Sequence, residues 1–421
     1  KFEIKGNYNQ TEFDLHSLKN FFHKDVLFSS LLVFLVLFLF RSFVFNIHFL
    51  DPISNAFHDF KLSDIYYSKL IDHEKTTVDT NIVIVNIGEN SREDIAKQIE
   101  IIDKFQPKVI GLDVVFEERK NPLSDIVLRE AISNAHNIVL ANYLNYPESD
   151  HGNNNHHDSE AELVGSHEFF SQDVRSGYVN FVAESDQSTI RKYAPFVELH
   201  EHEYLSFTSH LIKDYNQKAF EKLSKRHNEV EIINYKRKNN KYIILDVDEI
   251  KEENANLNIL KDKIVLLGYL GPDLHTNVIE DNHYTPLNPK YNGKSLPDMY
   301  GVVIHANILS MILENGFVTK LKSWLVLFLS FIILYLHMYY FIKYYVHRHI
   351  WYHVFAKFVQ LLTSVIIVGI EIYILSKFNF TLNSSLIIIP IILSIDVLYF
   401  YDGIVKFLHK KFNYNTWFLE H

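Results

Sequence analysis

The sequence predicts a mixed α/β domain, its sheet partly parallel and flanked by helices, with one membrane-spanning helix before it and three after it. Three observations carry that prediction. Residues 26–50 (VLFSSLLVFLVLFLFRSFVFNIHFL) and 324–342 (WLVLFLSFIILYLHMYYFI) are each long and apolar enough to cross a hydrocarbon layer about 30 Å thick. Two more apolar runs, 354–375 and 380–402, follow closely, whereas 51–320 is mostly polar. Within that polar region, short β-branched runs alternate with helix-period segments, the pattern of parallel strands joined by right-handed crossovers.

Taken in order, residues 53–71 have an amphipathic helical look after Asp51-Pro52 closes the first apolar run. Ile82–Ile87 (IVIVNI) reads as a buried strand. Ser91, with Asp94 three residues on, opens a helix whose apolar positions fall at 95, 99, 102 and 105 and which Pro107 ends. Val109–Phe116 (VIGLDVVF) is a second strand, Leu123–Ala135 a helix and Asn137–Asn142 a third strand. The polar stretch 145–161 is a surface loop. Gly177–Phe181 and Arg191–Glu198 read as strands around a turn at Glu184–Thr189, and a helix covers 203–214. Val230–Tyr235 and Lys241–Leu245 are expected to form a hairpin across Lys236–Asn240. Lys263–Leu270 (KIVLLGYL) is another buried strand, and Gly301–Leu313 is an apolar-faced helix leading into the membrane part.

Charge sets the expected orientation. Residues 51–320 hold 28 Lys and Arg against 43 Asp and Glu, while the rest of the chain holds 13 against 8. Lys19, Lys24, Lys343, Arg348, Lys406, Lys410 and Lys411 flank the spans on one side, which marks that side as cytoplasmic. The organisation expected is therefore a cytoplasmic segment 1–25, a span at 26–50 and a periplasmic domain at 51–320. Spans at 324–342, 354–375 and 380–402 and a cytoplasmic tail 403–421 complete it. The first apolar run exceeds the roughly 7–15 residues of a secretory signal core and no small-residue cleavage site follows, so it reads as a retained anchor in the inner membrane. The chain has no cysteine, which removes disulfides, thiolate nucleophiles and Cys-ligated metal sites. An acidic domain also repels nucleic-acid phosphates, so nucleic acid is not an expected partner.

Several segments together resemble a known family. IVIVNIGENS, KVIGLDVVFEE, GYVNFVAESDQSTIRKYAPF, KIVLLGYLGPDLHTN, YTPL and MYGVVIHANILSMIL occur in this order over about residues 80–315. They are similar to the CHASE domain of type two, an extracytoplasmic sensing module followed by three transmembrane helices and attached to bacterial cyclases, histidine kinases and related receptors. The resemblance implies a sensor fold and location. The chain departs from the family pattern at Gly88-Glu89, where an Asp pair is usual, and at Asp186-Gln187-Ser188, where Asp-Gly precedes the Arg. Nineteen residues follow the fourth expected span, so a catalytic output module is not expected within these residues.

Candidate sites follow from residue chemistry. Asp113 lies in an apolar strand, and strand ends of open α/β sheets border ligand crevices. It is either a ligand or cation contact, with Arg191 a further ligand-binding candidate, or a structural carboxylate accepting backbone N–H bonds or pairing with Arg191. Gly268 and Gly271 bracket a turn whose backbone N–H groups could cradle an anion, without the spacing or Lys of a P-loop. His275, Asp281, His283 and His305 offer metal-ligand chemistry, but their spacing matches no metal motif, and His275 enters instead as a ligand candidate beside the turn. No metal or cofactor is expected. The nucleophile elbow, the zinc-protease motif and nucleotide fingerprints are missing from the sequence, so a non-enzymatic role is expected. In the membrane part, Asp396 and Glu371 are candidate intramembrane polar contacts, with Lys357 and Glu371 also within snorkelling reach of the two interfaces. The function expected is a sensor or adaptor signalling through a membrane-protein partner or a second copy in the lipid. The alternative is a structural or accessory subunit of a larger envelope complex for transport, secretion or motility.

Overall fold

Strands that are apolar on both faces need cover on both faces, and this requirement organises residues 64–318. The computed structural model describes residues 21–44, 62–71, 74–146, 161–172, 174–182, 189–252, 256–276, 278–288, 296–346 and 351–419. It divides into two compact units, Asp64–Val318 and the remainder. Residues 184–188 of the expected turn at Glu184–Thr189, most of the loop at 145–161 and residues 53–61 of the first amphipathic stretch lie outside the described residues.

Ahead of the domain stands α1 (Lys24–Val44). The domain's strands are β1 (Asp79–Asn86), β2 (Val109–Leu112), β3 (Ile138–Asn145), β4 (Glu162–Gly165), β5 (Arg175–Tyr178), β6 (Tyr242–Leu245) and β7 (Ile264–Gly268). They form one seven-stranded sheet in the order β6-β1-β7-β2-β3-β4, with β5 also pairing β3. Every pairing is parallel except β3 with β4. Helices α2 (Arg92–Lys104) and α3 (Pro122–Asn134) cover one face. There Val83, Val85, Ile99, Ile102, Leu112, Leu128, Ile132, Leu140, Val265 and Leu267 share one core. Helices α4 (Phe207–Tyr215) and α6 (Gly301–Leu313) cover the other, with α5 (Gln217–Ser224) outside them. Burying each Val, Leu or Ile of such a core contributes roughly 1.5–3 kcal/mol.

Local chemistry fixes the ends. Ser91 caps α2 by accepting from the Asp94 N–H at 3.2 Å, and Asn121 caps α3 by accepting from the Leu123 N–H at 2.9 Å. The helix α6 is buried along nearly its whole length, which explains its all-round apolar sequence. It can approach the sheet because β7 ends in glycine. A Cβ on Gly268 would stand 2.7 Å from Cγ2 of Val302.

Several expected elements are corrected. The strand expected over Val109–Phe116 ends at Leu112, leaving Asp113 on the rim. The strand Arg191–Glu198 splits into Lys192–Tyr193 and Phe196–Leu199, because Pro195 between them has no N–H to give a ladder. The helix expected at 203–214 starts at Phe207, since His202–Leu205 pairs with Phe196–Leu199. The hairpin of Val230–Tyr235 with Lys241–Leu245 does not form. Glu231–Ile232 pairs instead with Lys192–Tyr193, while β6 joins β1 at the edge of the main sheet, where its apolar residues bury more surface.

In the other unit, α7 (Ser323–Val346), α8 (Tyr352–Phe378) and α9 (Ser385–Phe412) are long and apolar enough to cross a membrane. These are the three such helices among the described residues, against the four expected. The first apolar run is helical as α1 to Val44, and 45–50 lie outside the described residues. The last span is also corrected at both ends. Phe380–Thr381 pairs with Thr319–Lys320 as strand, Asn379 takes a left-handed backbone, and α9 runs on through 403–412, expected as tail.

The glycine at the end of β7 generates a test. Gly268→Ala forces β7 and α6 apart and should destabilise the chain by about 1–3 kcal/mol, the usual cost of overpacking. Calorimetric unfolding of the full chain in nanodiscs measures it, and an unchanged transition would show that α6 does not depend on that contact.

Candidate functional site

All the parallel strands end at one edge of the sheet, and the loops leaving that edge are pinned by Asn86, which is fully buried. Its Nδ2 donates to Asp246 Oδ1 at 3.0 Å and to the Gly271 carbonyl at 3.1 Å. Its Oδ1 accepts from the N–H groups of Gly88 and Leu270, each at 3.0 Å. Its own carbonyl accepts from Gln98 Nε2 at 3.0 Å. One side chain therefore sets the loops after β1, β6 and β7. Sequence reading missed it, although an Asn closing an apolar strand is the available signal, because a buried amide needs several partners.

Beside this hub, Asp113 follows β2 and gives its N–H to the Leu267 carbonyl at 2.8 Å. Its Oδ2 lies 4.0 Å from Nε2 of His305, in the second turn of α6. The ring of His305 is wedged between Phe181 and Phe207, with centroids 4.8 and 5.5 Å away, and its Nδ1 is buried with no hydrogen-bond partner. A second pair stands next to the start of α6. His283 Nε2 is 4.0 Å from Asp281 Oδ1, Phe181 also packs on His283, and the Gly301 N–H donates to the Asp281 carbonyl.

The electrostatics of the four groups are consistent. Burial, helped by the Asp281 charge, raises the Asp113 carboxyl to about 7. Burial raises Asp281 to about 6. Burial and then the neighbouring His283 lower His305 to about 3, and burial lowers His283. Both imidazoles are thus neutral near pH 7. Among the described residues the ion pairs of Asp113 and Asp281 are with these histidines alone, so no Lys or Arg compensates either carboxylate. A desolvated carboxylate at Asp113 without a cation is costly, and with the half-exposed Asp281 beside it the arrangement favours an incoming proton or positive charge. Among the described residues no three His, Asp or Glu side chains are placed to hold a metal ion.

The other candidates fall elsewhere. Arg191 does not reach Asp113. It forms a two-point pair with buried Asp64, Nε to Oδ1 at 3.1 Å and Nη2 to Oδ2 at 2.5 Å. Pairing with an acid 127 residues away cannot be read from spacing. Gly268 serves the packing of α6. Gly271 has φ +101°, a backbone that disfavours any side chain, and closes the turn held by Asn86. His275 is exposed, its N–H donating to Asp273 Oδ1 at 2.7 Å in a turn that also uses Thr276. Asp281, His283 and His305 of the weighed metal set do converge, without His275.

In the membrane helices, Asp396 of α9 meets Lys357 of α8 at 3.7 Å, both exposed on the bundle surface. Glu371 is buried rather than snorkelling. It accepts from Thr381 Oγ1 at 2.8 Å and from the N–H groups of Asn383 and Ser384, and so closes the turn into α9.

A family model for the CHASE2 domain matches residues 31–339, from within α1 to within α7. That is most of the chain, and the chain belongs to the CHASE2 domain family. Comparison with curated proteins and with solved structures gives no match. Three apolar helices after a CHASE2 domain fit a membrane sensor with an extracytoplasmic domain.

A carboxylate whose folded pKa is raised stabilises the fold below its unfolded pKa and loses that stabilisation as pH climbs through its folded one. Removing the charge of Asp113 should therefore help at high pH alone. The Tm of Asp113→Asn should match that of the wild type near pH 4, pull ahead as pH rises and level off above pH 7. The lead should reach at least about 2–4 °C, the displacement 1 kcal/mol produces in a domain of this size. Equal melting at every pH would mean that the carboxylate is compensated.

Proposed function

We propose that this chain is a polytopic protein of the bacterial inner membrane, anchored by α1 ahead of a periplasmic CHASE2 domain. It acts as a non-enzymatic sensor or adaptor that passes a periplasmic state to a membrane partner or a second copy. The observation that supports this reading is the uncompensated pair Asp113 and Asp281 facing His283 and His305 at the carboxyl edge of the sheet. A ligand carrying positive charge, or a proton, lowers the free energy of that arrangement more than it would an already neutral one. Such differential binding is what a signal requires. The helix bearing His305 ends at Leu313 and α7 starts at Ser323, so the candidate site and the apolar helices are near neighbours along the chain. The basic flanks of the spans support the inside-outside assignment.

The lack of native cysteine makes the topology directly testable. In intact cells, a membrane-impermeant maleimide should label Lys97→Cys, on the exposed face of α2, and should label Lys410→Cys only after permeabilisation. Reversed labelling would sink the periplasmic assignment. Blue-native electrophoresis after gentle solubilisation addresses the partner. Migration as the chain alone or as a homodimer fits the sensor, and a stable co-migrating hetero-complex supports the envelope-subunit alternative.

A further inference from the structure

At one end of the bundle, the first turn of α1 and the chain leaving α9 are tied together through a single carboxylate. Asp25 is fully buried, an arrangement that is unfavourable unless its oxygens are satisfied. Four donors satisfy them. Tyr401 of α9 and Tyr414 donate their hydroxyls to Oδ1 at 2.8 and 3.1 Å. Thr416 Oγ1 and the Trp417 N–H donate to Oδ2 at 2.8 and 2.7 Å. Three of the four therefore come from residues 413–419, which follow α9. Flanking contacts reinforce the tie: Lys24 Nζ sits 4.1 Å over the Tyr414 ring, and the His23 ring packs on Trp417. Phe418 packs against Tyr345 of α7 and Tyr401.

Chain connectivity gives this tie its meaning. Among the four helices, α1 and α7 are the ones joined directly in sequence to the domain, whereas α9 is reached only through α7 and α8. Asp25 thus links a helix next to the domain in sequence with the helix and tail farthest along the chain. Its bonds are all short. A slide of α1 against α9 by one residue's rise, about 1.5 Å, would carry those of these bonds that lie along the motion beyond hydrogen-bond range. The buried carboxylate would then keep only His23, whose Nδ1 lies 3.4 Å from Oδ2 on the same segment, in place of four donors, which favours one of two arrangements over an intermediate one.

We propose that residues 413–419 form a strap latched to α1 by Asp25, and that displacement of α1 against α9 releases it and uncovers Trp417 and Phe418. The latch is a conformational device carried by the bundle itself, whatever ligand the domain takes. Hydrogen bonds to a charged group contribute about 1.5–3 kcal/mol each, so losing even one shifts the closed-to-open ratio roughly tenfold or more.

Trp417 reports on the latch. It is buried, whereas Trp324 and Trp351 are exposed, so the double replacement Trp324→Phe and Trp351→Phe leaves one internal probe. In nanodiscs, acrylamide should quench Trp417 poorly in that background and severalfold more strongly once Asp25→Ala is added, with helical content unchanged. Tyr414→Phe with Thr416→Val keeps the carboxylate and removes two donors, and it should give intermediate quenching. It also decides the matter if Asp25→Ala does not fold. Trp417 as protected in a folded variant as in the parent would overturn the latch.

Discussion

The close approach of α6 to β7 is the contact on which the rest of the domain depends. A parallel sheet with both faces apolar must be covered twice, and the second cover is a helix that fits only over a glycine. Once seated there, α6 carries His305 to the carboxyl edge of the sheet and sets it against Asp113. Asn86 holds the loops of the same edge from behind. Packing therefore builds the site, and the polar groups in it are placed by apolar constraints rather than by mutual attraction. This is why these four titratable groups stay short of compensation while several buried acids elsewhere in the domain are held by arginines. Asp125 is held by Arg92, Glu231 by Arg226 and Asp64 by Arg191. The contrast between arginine-paired acids in the framework and acids without a cation at the rim is what singles out this edge as a candidate site.

Much of this was legible along the chain. Ile82–Ile87 and Lys263–Leu270 are β-branched or Leu-rich runs bounded by turn residues, and both became central strands. Gly301–Leu313 reads as an apolar-faced helix, and the structure buries it almost whole within the domain. Local signals were enough because each of these elements is uniform over its own length. What stayed hidden is non-local. Lys241–Leu245 carries the same apolar pattern whether it folds back on Val230–Tyr235 or joins β1 at the sheet edge, and burial on the whole sheet decided for the second. Asp113 stands out in the sequence as an acid within an apolar strand, but its place on the rim and its partner, a histidine on a helix far along the chain, are not legible there. The arginine proposed for it is held by Asp64 instead.

The membrane helices follow the same logic with the solvent reversed. Exposed residues such as Phe328, Leu361 and Phe400 are apolar, while polar groups such as Ser330, Gln360 and Ser394 are turned inward. Glu371 closes the α8–α9 turn, and Asp396 finds Lys357 on the neighbouring helix. Asp25 was legible only as one acid in a short segment before the first apolar run. Its importance comes from a tail almost four hundred residues later, as the Tyr414, Thr416 and Trp417 donors make plain.

The claim at the centre of this account is that Asp113 has no compensating cation and holds its proton near neutral pH. Infrared difference spectroscopy of the full chain in nanodiscs, recorded across a pH titration, tests it most directly. The account predicts a protonated-carboxyl band that disappears with a midpoint near 7 and is missing from Asp113→Asn. A band unaffected by that substitution, or a carboxyl that ionises near 4 as ordinary aspartates do, would contradict it.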